Sequence, residues 1–156
     1  MTQEELSKLP DMLEMGALIE FVTHGAWSLH HLVEKVIEKT GPADVQMSTW
    51  AITEKPLRVL ERLKSTGKIL SLSGIIERKI SHHNPKAFGF VQQVFDSVEL
   101  SKCHAKVTLI TNADWQVAIV CSANWTVNRR TEVGTILCNP ESVEFHKSWM
   151  NGEDKE

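Results

Sequence analysis

Cys103-His104-Ala105-Lys106-Val107-Thr108-Leu109-Ile110-Thr111, a turn at Asn112-Ala113-Asp114, then Trp115-Gln116-Val117-Ala118-Ile119-Val120-Cys121-Ser122-Ala123-Asn124 is the stretch on which the fold turns. Two runs rich in β-branched residues joined by an Asn/Asp turn predict a β-hairpin. A third strand is expected from about Thr131 to Cys138. His104 and Lys106 stand two residues apart, so on a strand both side chains leave one face. Ser122 and Asn124 have the same parity if their strand persists. Hairpin pairing would then gather an imidazole, an ammonium, a hydroxyl and an amide around one spot.

Taken alone, a His-x-Lys pair is more simply two polar residues on a half-exposed strand. The full set has a chemical logic. A neutral imidazole is a good nucleophile near neutral pH, and a lysine and an asparagine beside it can hold phosphate oxygens as charge shifts during attack. A carboxylate such as Glu132 could accept the second imidazole N–H. Together His104, Lys106, Ser122, Asn124 and Glu132 resemble the His-x-Lys…Ser-x-Asn…Glu signature of the phospholipase D superfamily. The resemblance implies a phosphodiesterase working through a phosphohistidine without metal or other cofactor. Three departures stand out: Thr111 where the family has Asp, Cys121 where a Gly usually precedes the Ser, and a hairpin a few residues longer than usual. Asp114, in the turn, lies too far along to replace the missing carboxylate.

The 156 residues suit a single domain with a real core. Residues 1–16 read as an arm or short helix, 17–151 as one domain and 152–156 as a polar tail. Apolar residues make up 42% and charged residues 24%, as in a soluble globular chain, and no run approaches the ~18 apolar residues of a membrane span. The acidic start Met1-Thr2-Gln3-Glu4-Glu5 lacks a secretory signal's basic region. Three cysteines without Cys-x-x-Cys favour reduced thiols and a cytoplasmic setting. Cys103 and Cys121 read as small core residues. A net charge of −3 offers no global basic excess for nucleic acid, but Lys102, Lys106, Arg129 and Arg130 concentrate positive charge around the motif.

Along the rest of the chain, residues 2–15 read as a polar helix with Leu6, Leu9 and Leu13 as contacts. Ala17–Thr23 reads as a buried strand, and Ser28 caps a helix with Leu29, Leu32, Val33, Val36 and Ile37 on one stripe. That helix stops at Thr40-Gly41-Pro42; His30 and His31 are expected at its surface. Asp44–Trp50 is a second strand. Thr53 caps a helix to about Ser65, with Leu57, Leu60 and Leu63 inward. Lys68–Ile76, almost continuously apolar, suits a central parallel strand. Adjacent His82 and His83 point apart and suggest no metal pair. Lys86–Ser97 is compatible with a helix, Val98–Leu100 with a short strand, and Pro140–Met150 with a closing helix that sets Phe145 and Trp149 against the sheet. Strand–helix alternation followed by a hairpin implies an α/β fold, a mixed sheet with helices on both faces. The resemblance implies the same α/β/α sandwich.

The family uses two motif copies around one pocket, and this chain carries one. The resemblance therefore implies a homodimer, with His104 of each copy meeting at the interface. One imidazole would attack phosphorus while the other protonates the leaving oxygen. Lys106 and Asn124 would bind the equatorial oxygens, Ser122 would support them and Glu132 would orient His104. Arg129, Arg130 and Trp50 are candidates for holding substrate. Nucleic acid is the expected substrate by family analogy. Two alternatives stay open: a turnover-deficient module binding DNA or a partner, and a lipid phosphodiesterase.

Overall fold

The hairpin sits inside a seven-stranded mixed sheet. In a computed structural model, which describes residues 1–153, the strands are β1 (Leu18–Val22), β2 (Ala43–Thr49), β3 (Ile69–Glu77), β4 (Ser97–Ser101), β5 (Val107–Thr111), β6 (Gln116–Cys121) and β7 (Val133–Leu137). Their order is β1-β7-β6-β5-β2-β3-β4. The β2–β3 and β3–β4 pairs are parallel and all others antiparallel. The mixed α/β sheet expected from the sequence is therefore present.

Helices α1 (Gln3–Ser7), α2 (Leu9–Met12), α3 (Leu29–Thr40), α4 (Glu54–Ser65), α5 (Ile80–His83) and α6 (Pro85–Val94) accompany one face, and α7 (Pro140–Met150) lies on the other. The capping chemistry is local. Ser28 and Thr53 start α3 and α4, while Asn84 and Asn139 accept hydrogen bonds from Ala87 N and Ser142 N at the starts of α6 and α7. The leucines of α3 and α4 bury in one core with residues of β2 and β3, as their 3.6-residue spacing requires, each contributing roughly 1.5–3 kcal/mol. Leu6, Leu9 and Leu13 of the arm join the same core.

Three details differ from expectation. The strand β1 is an edge strand, not a buried one: only Phe21 is fully covered and Leu18 is 64% exposed. On α7 the inward residues are Val143 and Met150, with Trp149 partly buried; Phe145 is 68% exposed. His30 is not at the surface. Its position in the first turn of α3 places it inside, 1% exposed, with both ring nitrogens unpartnered.

Burial holds the His30 imidazole neutral and draws its pKa down to about 4, with His31 and Lys55 adding to the effect. The folded state thus releases a proton that the unfolded chain binds below about pH 6.5, so stability is full above that pH and is lost as pH falls toward 4. About 3 kcal/mol depends on this one ring. His30→Leu is expected to flatten the acid limb of urea midpoints measured between pH 7.5 and 4.5. Parallel limbs in the two proteins would show that the buried ring does not control it.

Strand direction gathers the chemistry at one pole. The C-terminal ends of β1, β2, β3, β4 and β6 and the N-terminal ends of β5 and β7 all open there.

Candidate active site

His104 and Lys106 do not lie on a strand. Regular pairing in β5 begins at Val107, where Ser48 Oγ receives Val107 N at 3.2 Å, and residues 102–106 form its approach. That approach is gripped from below by Glu77 at the end of β3, whose Oε2 accepts from Cys103 N at 3.1 Å. His104 is exposed. Its Nδ1 lies 3.1 Å from Lys106 Nζ, which also donates to His104 O at 2.7 Å. The Trp50 ring, 43% exposed, stands 6.0 Å from the imidazole between centroids. Partial burial lowers the Lys106 pKa, against the opposing pull of Cys121, Cys103 and Glu132.

Ser122 and Asn124 follow β6, and Glu132 immediately precedes β7. Ser122 Oγ donates to Glu132 Oε2 and accepts from Val133 N at 3.1 Å. Asn128 Nδ2 donates to the other carboxylate oxygen at 2.5 Å. The Glu132 carboxylate is thus held by Ser122 and Asn128, and the expected bond from His104 is not made within one chain. Thr23 fixes the backbone behind it: Thr23 Oγ1 accepts from Glu132 N at 3.0 Å and from Gly25 N at 3.2 Å.

Asn124 is clamped through its oxygen. Oδ1 accepts from Trp50 N at 3.2 Å and Ala51 N at 3.3 Å, with Thr49 Oγ1 3.3 Å away. Only the amide oxygen can accept, so the clamp fixes which way the amide points. Nδ2 is left with no hydrogen bond among the described residues, as a donor at the site pole.

Arg129 and Arg130 are exposed on the loop leading to Glu132. That loop is pressed against the turn after β1, where His24 and Gly25 both have left-handed φ, 50° and 70°. A Cβ at Gly25 would lie 2.2 Å from Arg129 O. Gly25→Ala must displace the loop that leads into Glu132, so we expect a loss of about 1–3 kcal/mol in stability. Thermal denaturation checks the figure; an unchanged melting temperature would mean the two segments are not locked together.

A shallow groove of about 550 Å³ runs from His104 and Lys106 past Val120, Cys121 and Ser122 to His146 and Trp149 of α7. Trp149 Nε1 donates to His146 Nδ1 at 3.0 Å, and burial lowers the His146 pKa. Cys103 is buried as expected. Cys121 is half-buried at the groove wall, its thiol pushed up to about 11 by burial. Thr111, five residues beyond Lys106, lies about 16 Å away at the opposite end of β5. The departure from the motif there belongs to the hairpin turn, where Asn112 Oδ1 accepts from Asp114 N and Trp115 N and Asn112 Nδ2 donates to Thr40 O and Pro42 O.

Sequence reasoning missed Glu77, Thr23, Asn128 and His146. Glu77 left the plainest trace, a carboxylate ending an apolar strand.

No protein-family model matches the sequence, and no curated protein matches it. Solved structures do. NucT from Helicobacter pylori superposes with a TM-score of 0.61 at 18% identity, over 86% of this chain and 94% of that one. Polyphosphate kinase from Porphyromonas gingivalis gives 0.63 at 14%, over 87% of this chain and 26% of the enzyme. Phosphatidylserine synthase from Haemophilus influenzae Rd KW20 gives 0.57 at 12%, over 83% and 36%. The chain therefore shares its fold with these three proteins. Within this fold His104, Lys106, Ser122, Asn124 and Glu132 lie at one pole of the sheet, and no helix among the described residues is long and apolar enough to cross a membrane.

Proposed function

We propose that the chain is a phosphodiesterase of nuclease type, acting through a phosphohistidine on His104 in a homodimeric site. The observation that supports it best is the Asn124 clamp, which occupies the amide oxygen and leaves the amide nitrogen as a donor at the pole where His104 and Lys106 sit. Lys106 Nζ and Asn124 Nδ2 would bind the non-bridging oxygens, and their stabilisation grows as negative charge builds there. The imidazole Nε2 attacks phosphorus; the leaving oxygen departs with a proton from His104 of a second copy. Water then attacks the phosphohistidine, releasing the phosphate and restoring the imidazole.

The single chain gives a reason for the second copy. An ammonium only donates, so the contact between Lys106 Nζ and His104 Nδ1 uses Nδ1 as an acceptor. Attack by Nε2 requires a proton at Nδ1, held by a carboxylate. Glu132 of a second copy, its oxygens only partly used by Ser122 and Asn128, supplies that acceptor. The surface fits. The sheet face that carries α7 leaves Leu18 and Val133, which share it with Leu137, 64% and 53% exposed, and Phe145 of α7 is exposed too. A second copy packed there would cover them, and Arg129 and Arg130 of both copies would make a local cationic cleft on an acidic particle.

Purified protein incubated in EDTA with plasmid DNA and with bis(p-nitrophenyl) phosphate is expected to cleave both, and to sediment as a dimer. Monomeric protein with full activity would end the shared-site reading. A salt-dependent gel shift without cleavage would favour the DNA-binding alternative, and headgroup release from vesicles with DNA left intact would favour the lipid one.

A further inference from the structure

Trp50 also bounds a second, smaller pocket of about 110 Å³, together with Ile52, Ile80, Glu77, Lys79 and His83. It is well below the ~300–1,000 Å³ that encloses a whole ligand, so it takes one group of a substrate. Ile52 and Ile80 are buried apolar surfaces, and Trp50 presents an indole ring shared with the His104 side. Glu77 is the unexpected element. It is only 7% exposed, yet it ends a strand of otherwise uncharged residues. Its Oε2 accepts from Cys103 N; Oε1 makes no hydrogen bond among the described residues. The residue is mostly covered, but this second oxygen is not sealed from solvent, so an N–H donor entering the pocket can reach it.

We infer that this pocket takes a nucleobase carrying an exocyclic amine, which stacks on Trp50 and donates to Glu77 while its phosphodiester lies on His104. The inference rests on the phosphodiesterase reading and deepens it by naming a base subsite. A flat, neutral donor suits the site better than an alkylammonium, because Lys79 on the rim opposes a second cation. Stacking on an indole is tolerant of base identity, so discrimination falls to the carboxylate. Glu77 holds the backbone next to His104 with one oxygen and would hold the base with the other. It is therefore a positioning residue for the imidazole as well as a contact for the base.

Cytidine and uridine monophosphates separate these roles, since cytosine offers an amine where uracil offers a carbonyl oxygen. Calorimetric titration of the full chain in EDTA is expected to show cytidine monophosphate binding about tenfold tighter. Glu77→Gln retains an oxygen for Cys103 N–H but turns an amide NH2 toward the pocket, so the preference should reverse. Trp50→Ala, at an exposed position, should weaken both ligands about equally, and serves as the second variant if Glu77→Gln melts early. Equal binding of the two nucleotides to the wild type, a ratio unmoved by Glu77→Gln, or Trp50→Ala without effect would each overturn the subsite. Phosphoethanolamine binding as tightly as cytidine monophosphate, and lost in Glu77→Gln, would overturn the nucleobase in favour of a headgroup amine. The p-nitrophenyl phosphodiesters of both nucleosides provide the second arm. If neither is cleaved while the binding preference and its reversal are seen, the hydrolase reading fails and the subsite stands. If both are cleaved with equal KM and the two nucleotides bind equally, the subsite fails and the hydrolase reading stands.

Discussion

Replacing His104 with alanine is expected to remove phosphodiester cleavage while leaving the melting temperature where it was. The ring is exposed, and its neighbours are the Lys106 ammonium at 3.1 Å and the Trp50 ring at 6.0 Å. Nothing in the core depends on it, and exposed substitutions of this kind move stability by less than about 0.5 kcal/mol. The reaction loses both its nucleophile and, in a dimer, its proton donor, so the rate should fall by at least ~10³-fold. Initial rates on bis(p-nitrophenyl) phosphate in EDTA, set beside a thermal melt, measure both. Residual cleavage within a few-fold of wild type would exclude a phosphohistidine at this position.

The second large effect concerns Asn124, where two substitutions separate scaffold from chemistry. Asn124→Ala removes the oxygen that receives Trp50 N and Ala51 N, and leaving those donors unpaired costs about 1–3 kcal/mol. Asn124→Asp keeps an acceptor for both, so the β2–α4 connection should hold and the melting temperature should not fall. It also replaces the free Nδ2 donor with a negative oxygen facing the substrate phosphate. Cleavage should drop at least ~100-fold in Asn124→Asp despite an intact fold. An Asn124→Asp protein that is both stable and active would show that this amide does not touch the phosphate.

Much of the sheet was legible because its elements are locally consistent. The β-branched runs flanking Asn112 could hardly be anything but a hairpin. The capped helices followed their leucine stripes. Local pattern failed where tertiary geometry decides. His30 sits one residue from Leu29 in a polar pair, and nothing local reveals that the first turn of α3 is enclosed on that side. The Phe145–Trp149 pair obeyed a helical spacing, but Val143 and Met150, seven residues apart, define the face that meets the sheet. Lys106 and His104 were expected on a strand because Val107–Ile110 extends their pattern; the backbone before Val107 is instead tied to the distant Glu77. The Glu132 carboxylate is turned toward Ser122 and Asn128, a choice made by a loop whose shape depends on Gly25. Thr111 falls at the turn end of β5, away from Lys106, because a motif counted in residues does not say which end of a strand each position occupies.

The polarity of the sheet has a further consequence. The candidate catalytic residues lie where β2, β3, β4 and β6 finish, whereas Gly41, Gly67 and the Asn112 turn lie where the strands begin or double back. A residue added to the Asn112 turn therefore lengthens the molecule away from its working end, which is how a longer hairpin coexists with an orderly cluster of His104, Lys106 and Asn124. Grafts, tags or insertions belong at that quiet extremity, where added length leaves the candidate site at the other end untouched.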